Sequence, residues 1–210
     1  MSTGQEIADE IKQITARTRA PGVDAILLRM INGAIRQAER KATMFWFTLT
    51  EANGTTPADT GTLTGLPPAD FLKQDHTSGL TMVDDEGVKQ PCAKDDRDIV
   101  LRKTGLSSFG TPFYSLDNEI ITIRPLLTVS RVFHMMYHQS VTPLATLAAN
   151  NAWTDNADEW LIGAAGERYA VSISSPKVQY FTALKTEMWQ DLQRFNTARM
   201  EAARARVLGD

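Results

Sequence analysis

The chain has 210 residues, with 22 Lys and Arg against 25 Asp and Glu, a formal net charge of -3 and an isoelectric point near 5.7. That length suits one well-packed domain, or one domain with an insertion. The mildly acidic balance argues against a protein that holds DNA or RNA through a global basic footprint, and leaves room only for a local basic patch. The single cysteine, Cys92, excludes an intramolecular disulfide and a Cys-rich zinc site.

The opening residues lack the basic and apolar runs of a signal peptide, and no stretch reaches the ~18 to 20 apolar residues that span a bilayer. The expectation is a protein made and used in the cytoplasm, or packed into an assembly there, without membrane contact. Ile7, Ile11, Ile14 and Thr18 form a narrow helical stripe that Pro21-Gly22 ends. A broader apolar face follows in Val23, Ile26, Leu27, Met30, Ile31, Ala34, Ile35 and Ala38, with Arg29, Arg36, Gln37, Glu39 and Arg40 on the remaining face. This predicts a second helix ending near Lys41 or Ala42.

Met44 to Thr50 is aromatic and β-prone, which predicts a strand covered on both faces. Glu51 to Gly65 is rich in Thr, Gly, Asn, Asp and Pro and reads as a loop, or as the mobile tip of a hairpin. Leu66 to Leu72 starts with a Pro-Pro kink and returns to a short strand. Further strands are predicted at Leu80 to Val83, Asp98 to Arg102, Phe113 to Leu116 and Ile120 to Arg124. Turn signals separate them at Asp85-Glu86-Gly87, Gly105 and Gly110-Thr111-Pro112. Asp117-Asn118 marks the clearest hairpin, and Pro125 ends its outgoing strand or places it at an edge. Thr128 to Ser140 reads as one long strand with polar and apolar residues on both faces.

Thr154-Asp155-Asn156 offers a cap for a helix through Glu159, Trp160 and Tyr169, in which Gly163 and Gly166 leave room for a close neighbour. Ser174 or Ser175, with Pro176, opens a last helix running to about Val207. Phe181, Leu184, Met188, Leu192 and Phe195 form its inward face. Beyond Phe195 the large apolar residues stop. About 45 Å of helix exceeds what a small domain needs, so part of it is expected to project. The fold class expected is α+β: a helical bundle from residues 1–42 and 141–210, with a C-terminal arm at 196–210, and an inserted antiparallel β-rich region at 43–140.

No catalytic constellation stands out, so a non-enzyme without cofactor or metal is expected. His134 and His138 are four apart, which suits a metal on a helix but places them ~13 Å apart on a strand. Asp84-Asp85-Glu86 and Asp95-Asp96-Arg97-Asp98 could meet a divalent cation but lack EF-hand spacing and read as solvated loops. Cys92 has no base placed beside it by sequence, His76 included, and reads as an ordinary loop thiol. Phosphate-binding glycine motifs are absent. Trp46, Trp153, Trp160 and Trp189 could stack bases, but Trp160 and Trp189 sit on apolar helix faces and read as core. The arginines of the last helix suit either a solvated face or a docking surface.

The order of several segments resembles the head-to-tail adaptor (connector) proteins of tailed bacteriophages. These are Ile26 to Arg36, the aromatic segment before Leu66-Pro67-Pro68-Ala69-Asp70-Phe71-Leu72, Gly110 to Leu116 followed by Ile120 to Pro125, the long strand, and Asp158 to Ala165 leading to a long last helix. Asp75 to Ser108 has no counterpart, His134 and His138 stand among tyrosine-like positions, and the first twenty residues read as an added arm. The resemblance implies a structural virion protein at the head-tail junction, assembled in the host cytoplasm. It further implies a homo-oligomeric ring, usually a dodecamer, that joins the portal protein to the tail nozzle or tail-tube proteins, with tail fibres as a further partner. Genomic DNA would pass through its channel without sequence-specific binding. Carried onto this chain, it assigns the portal interface to Arg194, Arg199, Arg204 and Arg206, and the β-rich middle to neighbouring subunits and tail components. The alternatives are another neck or tail-completion protein, or a small metal-dependent enzyme built on His134 and His138.

Overall fold

A computed structural model describes residues 2–17, 21–41, 44–75, 79–103, 106–107, 112–117 and 119–208, without the side chains of 106–107 and 206–208. Thr18, Ala42, His76, Gly105, Gly110, Thr111 and Asn118, used in the sequence reading, lie outside the described residues. The fold is α+β, and it divides into two compact units: residues 1–48 with 140–203, and residues 49–139 with 204–210.

The first unit is helical. Helix α1 (Gly4–Ile14) starts in a reciprocal cap, in which Thr3 Oγ1 accepts from the Glu6 N–H and Glu6 accepts from the Thr3 N–H. Ile7, Ala8 and Ile11 are fully buried, so this segment is part of the core and not an added arm. Helix α2 (Val23–Glu39) buries Leu27, Ile31, Ala34, Ile35 and Ala38 as its periodicity requires. Its polar residues hold the connection after residue 140. Asn32 exchanges two hydrogen bonds with the Leu144 backbone, and Glu39 accepts from the Val141 N–H at 2.8 Å.

Met44 to Phe47 is not a strand. Trp46–Thr48 is a 3-10 turn, and Phe45 is buried against Trp153 and Trp189. The aromatic run fills the helical core, where its rings gain more contact than on a sheet face. Thr154 is not the cap expected of it. Asn151 caps a short helix α4 (Ala152–Asn156), and helix α5 (Asp158–Ser172) follows without a side-chain cap. Helix α6 (Val178–Leu208) begins two residues after Pro176.

Helices α5 and α6 approach closely at the expected glycines. A Cβ on Gly163 would lie 2.6 Å from the Lys185 backbone nitrogen, and one on Gly166 2.4 Å from the Phe181 ring. Gly163→Ala is therefore expected to destabilise by about 1–2 kcal/mol. The backbone clash outweighs a helix-propensity gain of about 1 kcal/mol. Thermal unfolding reads this directly, and a more stable variant would mean that the helices can part at no cost.

The second unit is β-rich. The strand β1 (Leu49–Thr56) extends from Leu49 and Thr50 into the segment expected to be a loop or a hairpin tip, and Thr55 bridges antiparallel to Thr64. The strand pairs antiparallel with β10 (Arg131–Gln139) along its whole length, Leu49 opposite His138 and Thr56 opposite Arg131. On its other edge β10 pairs with β2 (Phe71–Gln74) and β3 (Leu80–Val83), and β3 pairs with β4 (Lys89–Pro91). A smaller sheet joins β5 (Ala93–Lys94), β7 (Phe113–Asp117) and β8 (Ile120–Arg124), with β7 and β8 forming the expected hairpin. The two-residue strands β6 (Leu106–Ser107) and β9 (Leu126–Leu127) pair in parallel.

Asp98 to Arg102 is helical, not a strand. Asp96 precedes α3 (Arg97–Arg102), and only Val100 is buried. Six residues with one inward side chain satisfy either period. Leu80, Tyr114, Ile121, Ile123, Phe133, Met135 and Tyr137 are buried together in this unit's core.

Candidate functional site

Several of the residues weighed for chemistry in the sequence are engaged in contacts within the fold. Strand β10 places the two histidines four residues apart, and each meets a different carboxylate. His134 Nδ1 lies 3.4 Å from Glu51, which also accepts from Lys89 at 3.2 Å. His138 Nε2 lies 3.9 Å from Asp75. Among the described residues no group of three or more His, Cys, Asp or Glu is arranged to hold a metal ion. Asp84 builds a turn by accepting from the Val88 and Glu86 N–H groups, and these bonds hold its carboxyl below the usual range. Asp85 is clamped by the Arg131 guanidinium, which lowers its pKa. Asp95 accepts from the Asp96 N–H, and Arg97 pairs with Asp117 at 3.1 Å.

Burial pushes the Cys92 thiol up to about 12, so almost no thiolate forms at neutral pH. Trp153 and Trp160 are buried in an aromatic cluster and cannot offer a face to a base. Trp46 and Trp189 belong to the same cluster and carry cations, Arg199 4.7 Å from the Trp46 ring centre and Lys41 3.8 Å from that of Trp189.

The four arginines assigned to a portal interface have different fates. Arg194 is exposed and pairs with Asp191 one turn back. Arg199 is exposed above Trp46. Arg204 grips Asp75 through two hydrogen bonds, Nε to Oδ2 at 3.1 Å and Nη2 to Oδ1 at 2.6 Å. The Asp75 side chain is only 2% exposed, so Arg204 is a structural residue. The side chain of Arg206 lies outside the described residues. Residues beyond Phe195 are not a free arm as far as Arg204. Asn196 accepts from the Trp46 N–H and donates to the Met44 carbonyl, and Met200 and Ala203 are buried.

Phe195, expected to face inward, is 59% exposed instead. It edges a cleft of about 270 Å³ in the helical unit, floored by Trp46, Trp160, Met188 and Leu192. Asp158, Glu159, Asp191 and Arg199 also line it. Apolar walls with charged groups beside them suit the capture of a partner side chain, and among the described residues that line the cleft there is no nucleophile-base pair. Sequence reasoning missed Glu51 and Asp75 as the acids nearest the histidines, and Asp75 as the partner of Arg204, because nothing local marks an acid whose partner is far along the chain. Comparison of the chain with protein-family models and with curated proteins finds no match.

Proposed function

We propose that this chain is a non-enzymatic assembly protein of the head-to-tail adaptor type, forming a ring between a phage portal and its tail at the virion's head-tail junction. The observation that carries this reading is where the resembling segments lie. Ile26 to Arg36 belongs to α2 and Asp158 to Ala165 opens α5, and these helices share one core through Leu27, Ile31, Leu161 and Ala165. Tyr114 and the segment Ile120 to Arg124 supply β7 and β8 to the other core. The ordered segments thus underlie both units, as a fold-level likeness demands. The cleft beside Phe195, with Arg194 and Arg199, is then the candidate portal contact, and Arg204 leaves that set.

Mixing the full chain with its portal protein tests the reading. Sedimentation and electron microscopy should show a ring of about twelve copies on the portal, the number the resemblance implies. A chain that stays monomeric and ignores the portal would overturn it. Binding only to tail proteins would favour another neck or tail-completion role.

A further inference from the structure

Helix α2 turns one polar face outward, and that face is a row of cations. Arg29, Gly33, Arg36 and Arg40 follow at steps of four, three and four, which is one side of a helix. Arg29, Arg36 and Arg40 are exposed. The gap at Gly33 is filled from α5: the Arg168 guanidinium lies where a Gly33 Cβ would be, 2.6 Å from that position, and donates to Gln37. Four guanidiniums therefore line about 16 Å of rigid helix. None of them forms an ion pair with a carboxylate among the described residues. The nearby Glu167 is already paired with Lys185.

We propose that this face of α2 binds the phosphate backbone of duplex DNA, without reading its sequence. Guanidiniums match phosphate oxygens in two-pronged hydrogen bonds. One strand of a duplex carries a charge every ~3.4 Å along the axis, so the row spans about five phosphates. An acidic protein fits less well. Protein interfaces need buried apolar anchors, and none of the exposed large hydrophobic residues lies on α2. The overall charge of -3 hides this local row. The inference does not rest on the adaptor reading, because duplex binding and ring formation on a portal are separate measurements.

The test is fluorescence anisotropy of the full chain with a labelled 20-base-pair duplex of arbitrary sequence, between 50 and 200 mM NaCl. Four phosphate contacts predict a log-log salt slope near -3.6, so affinity falls on the order of 100-fold across that range. Arg29→Ala/Arg36→Ala/Arg40→Ala keeps good helix formers at exposed positions and should fold normally, as circular dichroism will show. Its slope should drop to about -1, with a roughly 4-fold change across the range. Arg97→Ala, in the other unit, should bind like the parent. A triple variant with unchanged slope, no binding at 50 mM salt, or displacement by poly-glutamate as effective as by unlabelled duplex would each overturn the proposal.

Discussion

Replacing Arg204 with alanine is expected to destabilise the protein by about 3 kcal/mol, a drop of roughly 6–12 °C in Tm. The reason lies with Asp75, whose side chain is 2% exposed and meets both Nε and Nη2 of Arg204. Without the guanidinium that carboxylate stays desolvated and loses both of these hydrogen bonds, while His138 Nε2 lies 3.9 Å away. Breaking a buried pair from one side commonly costs ~3–5 kcal/mol, and the lower end applies because Arg204 keeps 23% of its side chain exposed. A double-mutant cycle separates the pair from its parts. Arg204→Ala/Asp75→Ala should cost clearly less than the sum of the single changes. Arg194→Ala removes only a surface pair with Asp191 and should stay within about 0.5 kcal/mol. If the two arginine variants melted together, Arg204 would be a surface residue after all. Deleting everything after Phe195 should for the same reason unfold or strongly destabilise the chain, since Asn196, Met200 and Arg204 all go with it.

That outcome was hidden in the sequence, where Arg204 looks like its neighbours on a solvated helix. Its partner is 129 positions away, and no local pattern points to it. Long periodic elements behave differently. The broad stripe of α2 and the alternation of the hairpin at Phe113 to Arg124 each name their own buried face, so both were legible. Strand β1 was not, because Glu51-Ala52-Asn53-Gly54-Thr55-Thr56 carries little apolar signal of its own. Its order comes from the ladder with β10, a partner that a window of sequence does not contain. Met44 to Phe47 failed the other way: strong β propensity was overridden by a tryptophan cluster assembled from three distant segments. The arginine row of α2 was visible as spacing. Its meaning depended on Arg168 reaching over Gly33 and on the absence of pairing carboxylates among the described residues, and both are tertiary facts.

The same cluster carries the other large expected effect. Trp153 is 1% exposed, with the rings of Phe45, Phe47 and Trp160 at centroid distances of 5.7, 5.0 and 5.6 Å. Trp153→Ala should therefore cost about 3–5 kcal/mol, through lost burial and a cavity that fixed neighbouring rings cannot fill. Trp153→Phe probes a finer point. The indole N–H has no acceptor among the described residues, so phenylalanine removes an unsatisfied donor along with some volume. The two changes oppose each other, and the net cost should be about 1 kcal/mol or less. Urea unfolding followed by circular dichroism measures both variants without relying on the fluorophore being changed. Equal losses for alanine and phenylalanine would mean that the indole nitrogen makes a bond the protein needs. A small loss for alanine would mean that the aromatic cluster repacks, and that the helical unit does not depend on the rings that join Phe45 to α5 and α6.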